Sequence, residues 1–232
     1  MVNLPIIDII IPNYNKGEYL EECLNSVICQ TYKNWKIYLI DDNSTDNSKQ
    51  ILKNYLNNEK INIFFLKENK GPSYCRNYGI KNIKSEYVAF LDSDDCWPEN
   101  KLEIQIASMI KNHYSFTYTD LKFFFNNKKN KLHSSQLPEN YNYDEFILNS
   151  TMSTSSIIIK KKFLNDEIFK NVKHEDYLFK CEILRKGITA NKITNTFVYY
   201  RINKNNRSSG KISNLLNLWK INKNYNNLKL IN

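Results

Sequence analysis

The sequence predicts an α/β fold with a mostly parallel central sheet and helices on both of its faces. Three observations point there. Over residues 6–95, short β-branched runs alternate with stretches of helical period in a βαβαβαβ series, the pattern of parallel strands joined by crossover helices. Polar and acidic residues collect where these strands end. The chain of 232 residues is also long enough for one substantial core, which fits a single domain.

The first strand is the run from Ile6 to Ile11, broken only by Asp8 and closed by the turn residues Pro12-Asn13-Tyr14-Asn15. Tyr19, Leu20, Cys23, Leu24, Val27 and Ile28 then recur at a helical period. A second strand, Lys36 to Ile40, ends in Asp41-Asp42-Asn43-Ser44-Thr45-Asp46, and Ile51, Leu52, Tyr55 and Leu56 mark the next helix. Ile61 to Leu66 forms a third strand, Gly71-Pro72 opens a third helix, and Glu86 to Leu91 forms a fourth strand. Ligands of such sheets gather outside the carboxyl ends of the strands, where Asn13, Asp42 and Asp92 to Asp95 all fall.

The fourth strand carries the strongest chemical signal. Phe90-Leu91 runs straight into Asp92-Ser93-Asp94-Asp95, three acidic residues with no basic neighbour in the sequence. Like charges packed this closely favour a cation as guest. Hard carboxylate oxygens suit magnesium or manganese, which take one or two protein carboxylates and complete their shell with water and phosphate oxygens. A solvated acidic turn has the same composition, so the triplet alone leaves both readings open.

Taken together, several motifs resemble the family-2 glycosyltransferases of GT-A fold. They are Ile10-Ile11-Pro12-Asn13-Tyr14-Asn15, Gln30-Thr31-Tyr32, Asp41 to Asp46, Gly71-Pro72 with Arg76-Asn77, and Phe90 to Asp95 followed by Trp97, in matching order over about residues 6–102. A looser likeness runs on through Ser155 to Lys160, His174-Glu175-Asp176-Tyr177 and Tyr199-Tyr200-Arg201. The resemblance implies one domain at 1–203, with a Rossmann-like nucleotide-sugar half at 1–95 and an acceptor half at 96–203, followed by a basic tail at 204–232. It also implies an inverting transferase that moves a hexose or N-acetylhexosamine from a UDP-sugar to a saccharide hydroxyl, in lipooligosaccharide, O-antigen or capsule synthesis.

By the same resemblance, Asp42 accepts a hydrogen bond from uracil while Pro12, Tyr14 and Arg76 line the base. Asp92, Ser93 and Asp94 form the Asp-x-Asp motif, with Asp94 a direct ligand of Mn2+ or Mg2+ and Asp92 beside it. Asp176 is the general base that takes the acceptor proton, and Glu175 supports it. From their chemistry, Arg201, Arg207, Ser208 and Ser209 suit either a mobile loop that closes over the diphosphate, where guanidinium groups match phosphate oxygens, or a disordered basic tail.

Each assignment has a structural counterpart. Asp41 or Asp42 would serve as a cap for the helix beginning near Asp46. Arg76 would serve as a surface residue, and Glu175-Asp176 as first-turn acids favoured by a helix dipole. His174 reads as a polar loop residue, and Trp97 as either an acceptor-pocket wall or a core aromatic. Cys75 takes the small position before the Arg-Asn pair. Asn203 replaces the His that many relatives carry after Tyr-Tyr-Arg-Ile, so a His-assisted metal site is not expected.

Composition narrows the alternatives. No apolar run approaches a membrane span and no leader pattern precedes the first strand, so a cytoplasmic location is expected. Five cysteines without Cys-x-x-Cys spacing read as reduced thiols rather than structural zinc ligands. The net charge of +9 concentrates at Lys122 to Lys131, Lys160 to Lys162 and the last thirty residues, where Leu215, Leu218, Trp219 and Ile221 interleave with Lys211, Lys220 and Lys223. Such a stretch suits either peripheral contact with the anionic inner membrane, useful for a lipid-linked acceptor, or packing of its Leu face on the domain. Nucleic acid is not an expected partner, because no nucleic-acid-binding motif is present. A nucleotidyltransferase is disfavoured because Pro12-Asn13-Tyr14-Asn15 stands where its Gly-rich loop would be. The remaining alternative is a catalytically silent nucleotide-sugar-binding subunit of a polysaccharide synthase complex.

Overall fold

A computed structural model describes residues 4–125, 128–202, 218 and 221–226. The expected series appears as β1 (Ile7–Asn13), α1 (Gly17–Ile28), β2 (Trp35–Asp41), α2 (Ser48–Lys53), β3 (Ile61–Phe65), α3 (Pro72–Asn82) and β4 (Tyr87–Phe90). The acceptor-side elements follow as α4 (Lys101–Lys111), β5 (Phe116–Phe125), β6 (Lys128–Ser134), β7 (Asn140–Tyr141), α5 (Tyr143–Leu148), β8 (Ile158–Lys160), α6 (Glu175–Leu184) and β9 (Ala190–Ile202). The second helix is shorter than its apolar spacing predicts. After Lys53 the amides of Asn54, Tyr55 and Leu56 reach carbonyls three residues back, so the chain tightens into turns and leaves Leu56 exposed.

One sheet crosses the whole molecule in the order β3-β2-β1-β4-β8-β5-β9-β7, with β6 paired to β5. It is parallel from β3 through β4, as the alternating sequence requires. Beyond that it is mixed, because β8 runs antiparallel to both β4 and β5 while β9 returns parallel to β5. The last turn of β9 also bridges Cys96 through paired Tyr199 and Cys96 backbone bonds of 2.9 and 3.2 Å. That crossing lays Tyr200 and Arg201 against the acidic end of β4.

The central strands are continuous apolar runs because both of their faces are covered. Alternate residues go to opposite sides. Ile10, Tyr38, Ile40, Val88 and Phe90 pack in the cluster that contains residues of α3 and α6, whereas Ile9, Ile11, Ile37, Leu39 and Ala89 pack with α1 and α4. Phe90 meets Phe169 and Phe179 edge-on at 5.5 Å, and Phe169 stacks on Phe179 at 4.2 Å. These three rings pack α6 against β4, which brings the helix start beside the acidic turn.

Part of the C-terminal segment packs on the domain. Ile221 is buried in the same cluster as α6, Tyr177 donates to Asn222 Oδ1 at 2.6 Å, and Arg185 reaches the Tyr225 carbonyl and Asn226 Oδ1. Asn203, Arg207, Ser208, Ser209, Lys211, Leu215, Trp219 and Lys220 lie outside the described residues. Among the described residues no helix is long and apolar enough to cross a membrane, and all five cysteines are free.

Candidate active site

The ends of β1 and β2 form a polar scaffold that divides the neighbouring aspartates between two tasks. Asp41 is fully buried and accepts from Asn13 Nδ2 at 2.8 Å and from the Ser44 amide at 3.0 Å. It shapes the turn. Asp42, 2% exposed, receives the amides of Lys70 and Gly71 on its two oxygens at 2.7 and 2.8 Å. Gly71 sits at φ 85°, a conformation that favours glycine, and this is what turns its N–H onto the carboxylate. An ionised carboxylate offers about four acceptor directions, so two amides do not exhaust Asp42.

The helix-capping task belongs to Asp46, which accepts from the Ser48 and Gly17 amides, each at 2.9 Å. Burial pulls the Asp46 carboxyl upward, but the hydrogen bonds from Ser48 and Gly17 outweigh it and hold it below the usual range. Pro12 is half-buried opposite Ile40, and Tyr14 stands 45% exposed beside this turn. The Cys75 thiol is buried against Asp42, and burial pushes its pKa up, so it is an inert packing group.

At the end of β4 the structure overturns one premise of the sequence reading. The acidic triplet has no basic neighbour in sequence, yet distant elements supply cations. Lys16 Nζ lies 2.6 Å from Asp94 Oδ2, Arg76 Nη2 lies 2.7 Å from Asp92 Oδ1, and Arg201 Nε donates to the Asp94 carbonyl at 2.9 Å. Asp95 turns inward. It is 2% exposed, accepts from Ser155 Oγ at 2.6 Å and from the Arg201 amide at 3.0 Å, and is pushed up by burial and by Asp94 and Asp92. Ser93 is buried too, and Ser155 Oγ receives the Asp92 amide at 3.1 Å. Only Asp92 and Asp94 therefore present carboxylates outward, with 33% and 18% of their side chains exposed.

Two outward carboxylates form an open set of hard oxygen donors. That chemistry fits an ion of the magnesium type whose shell is completed by phosphate and water, not a closed structural site. Among the described residues no group of three or more His, Cys, Asp or Glu is arranged to hold a metal.

Arg76 departs from the surface position of the alternative reading: it is 5% exposed and bridges Asp92 to Glu175, with Nη1 3.1 Å from Glu175 Oε1. Burial pulls its pKa down, but Asp92 and Glu175 more than reverse this. Arg201 also departs from the expected loop. It lies within β9, 2% exposed, with its guanidinium bonded to Glu22 and packed over Tyr19 and Phe124 at 4.4 and 4.3 Å. The bridge between Cys96 and Tyr199 places it inside the fold.

Asp176 sits in the first turn of α6, with 40% of its side chain exposed and Oδ2 2.9 Å from Lys180 Nζ. His174, read from sequence as a loop residue, is the N-cap of α6 in the left-handed conformation (φ 61°), and its Nε2 finds no hydrogen-bond partner among the described residues. Burial raises the Tyr200 pKa first, and the charges of Asp95, Asp92, Asp94 and Asp176 raise it further. Trp97 resolves as a core aromatic, 3% exposed, its indole N–H donating to the Ser155 carbonyl at 2.9 Å.

The sequence reading missed Lys16, Glu22, Lys180 and Tyr200 as members of this site. A signal existed for Lys180, four residues after Asp176 on a helical pattern. Lys16 and Glu22 carry none, because their partners lie 78 and 179 residues away.

The comparisons with known proteins bear on the family and the fold. Residues 8–173 match the family described as glycosyl transferase family 2. TuaG of Bacillus subtilis, named as a candidate teichuronic acid biosynthesis glycosyltransferase, is 30% identical over 209 residues, covering 89% of this chain and 83% of that protein. The Escherichia coli protein WfgD, named UDP-Glc:alpha-D-GlcNAc-diphosphoundecaprenol beta-1,3-glucosyltransferase, is 31% identical over 208 residues, covering 89% of this chain and 81% of its own. Among solved structures, S. aureus TarS 1–349 in complex with UDP-GlcNAc superposes with a TM-score of 0.71 at 22% identity; the match covers 88% of this chain but only 60% of that one. That likeness bears on the fold.

The sheet order and the match to TarS define an α/β protein of GT-A fold. The chain belongs to glycosyl transferase family 2.

Proposed function

We propose that the protein is an inverting glycosyltransferase that moves a hexose or N-acetylhexosamine from a UDP-sugar to a saccharide hydroxyl during assembly of a bacterial surface polysaccharide. The observation that carries the reading is the bridge through Arg76, which ties Asp92 of the acidic turn to Glu175, the neighbour of Asp176. A group suited to a leaving diphosphate and a group suited to an incoming hydroxyl thus share one anchor. The names of WfgD and TuaG support a surface-polysaccharide role, and WfgD's name favours a lipid-linked acceptor.

In this reading Asp42 receives the uracil N–H, while Tyr14 and Pro12 border the base. Manganese or magnesium, when bound, stabilises as a Lewis acid the charge that develops on the departing diphosphate, with Asp94 and Asp92 as its protein ligands and Lys16 displaced from Asp94. Asp176 takes the acceptor proton as the acceptor oxygen bonds to the anomeric carbon. The bond from that carbon to the phosphate oxygen breaks with its electron pair, which leaves on UDP.

The first test is UDP binding, read as a thermal shift with manganese present or with chelator. Asp94→Ala is expected to abolish the metal-dependent part of the shift and to leave the unfolding transition of the unliganded protein in place. An unchanged shift in that variant, or in the wild-type protein with chelator, removes the metal assignment. The second test is stereochemical. With a UDP-α-sugar donor, proton NMR of the product should show the large anomeric coupling of a β-gluco or β-galacto linkage. Retention would require a carboxylate nucleophile against the donor face, and a small coupling would overturn both inversion and the role given to Asp176.

A further inference from the structure

Lys180 is a cation with almost no access to water. Its side chain is 3% exposed, in the second turn of α6, and its ammonium has two defined partners: the Met152 carbonyl at 2.7 Å and Asp176 Oδ2 at 2.9 Å. An exposed Asp–Lys pair one helical turn apart contributes little, because both side chains swing freely and water competes for them. Here the lysine cannot swing. The carbonyl from the segment before the Thr154–Ser156 turn holds the far side of the ammonium, and leaving either partner would strand a buried charge.

We propose that Lys180 is a positioning residue for glycosyl transfer: it pins the Asp176 carboxylate through Oδ2 and leaves Oδ1 to receive the acceptor proton. This rests on Asp176 being the general base. No hydrogen bond to Asp176 Oδ1 occurs among the described residues, so one oxygen is committed and the other is not.

The charged and titratable groups around Asp176 explain why this lysine matters. Lys180 and Glu175 come from α6 itself, Arg76 from α3, His174 from the turn that starts α6, and Tyr200 from β9. Arg76 is already committed to Asp92 and Glu175. Burial pulls the Asp176 carboxyl up, but the charge and hydrogen bond of Lys180, with Arg76 and His174 behind it, bring it down to about 2. A depressed carboxyl stays charged as pH falls, and takes up its proton only near that value. Without Lys180, the burial contribution would have weaker opposition and the carboxyl would rise from its depressed position.

The test uses Lys180→Gln, which keeps a donor for the Met152 carbonyl but removes the charge, and Lys180→Arg, which keeps the charge. The Asp176 carboxyl 13C resonance, assigned by its loss in Asp176→Asn, is followed against pH in each folded protein. In the wild type it should remain ionised to below the ordinary carboxylate range. In Lys180→Gln it should titrate within or above that range, and in Lys180→Arg it should stay low. Transfer by Lys180→Gln should fall roughly 10- to 100-fold, as for a catalytic group moved by a fraction of an ångström to an ångström. The loss should lie in kcat and acquire an acid limb, with the UDP thermal shift unchanged.

A wild-type Asp176 that titrates in the ordinary range overturns the proposal, whether or not the Gln variant folds. So does a Gln variant with the wild-type titration and kcat. If Asp176→Asn retains transfer, the base assignment itself has failed. If Asp176→Asn is inactive while Lys180→Gln matches the wild type, only the role of Lys180 has.

Discussion

Asp176→Asn is expected to lower glycosyl transfer by roughly two to four orders of magnitude, the usual worth of a general base, while leaving UDP binding intact. The substitution preserves size and removes the site that accepts the proton. It also removes the ion pair with Lys180, but Lys180 keeps the Met152 carbonyl, and an Asn side-chain oxygen still accepts from the ammonium, so the helix start should persist. The measurement is steady-state transfer together with the UDP thermal shift. Near-normal transfer would exclude Asp176 and turn attention to Glu175, although Glu175 is bonded to Arg76 and only 14% of its side chain is exposed.

The largest effect on stability is expected from Arg76→Met. The guanidinium is buried and serves two carboxylates on different elements, Asp92 at the end of β4 and Glu175 at the start of α6. Removing one partner of a buried ion pair leaves uncompensated charge and costs about 3–5 kcal/mol. Asp92 is one-third exposed, so water takes part of its share and the lower end of that range applies. For a domain of this size, about 3 kcal/mol lowers the melting temperature by roughly 6–12 °C. Arg76→Lys should recover only part of this, because a single ammonium cannot reach both carboxylates with the two-pronged geometry of guanidinium. Thermal unfolding of both variants decides it: a melting temperature unchanged in Arg76→Met would mean that the bridge does not hold the two halves of the site together. Transfer should fall more steeply than stability, since Asp92 and the α6 start lose their shared anchor.

The parallel half of the molecule was legible from sequence because its signals are local. A strand buried on both faces must be apolar at nearly every position, so Ile7 to Ile11 and Ile37 to Ile40 announce themselves without reference to any partner. Turn chemistry is equally local: Gly71 ahead of Pro72 predicts the start of α3, and Gly71 proves to need its positive φ. Legibility fell beyond residue 95. The antiparallel insertion of β8 between β4 and β5 depends on pairing strands some 70 residues apart, for which a run of three residues, Ile158–Lys160, carries no instruction.

The strand ends that carry Asp42, Asp92 and Asp94 are marked in the sequence, whereas Asp176 stands out only by family resemblance, since a first-turn acid has no signal of its own. Which way each acid faces was decided by tertiary structure. Of three adjacent acids after β4, two face outward and Asp95 turns in to hold Ser155 and the Arg201 amide, a division that depends on where β9 crosses Cys96. Of the two basic residues assigned to the nucleotide, Arg76 became the link between the acidic turn and α6, and Arg201 became an interior anchor on Glu22. The physical reason is the same in both cases: a guanidinium is held by whichever carboxylates the fold brings within about 3 Å, and that distance is set by packing of elements far apart in the chain, not by neighbours in sequence.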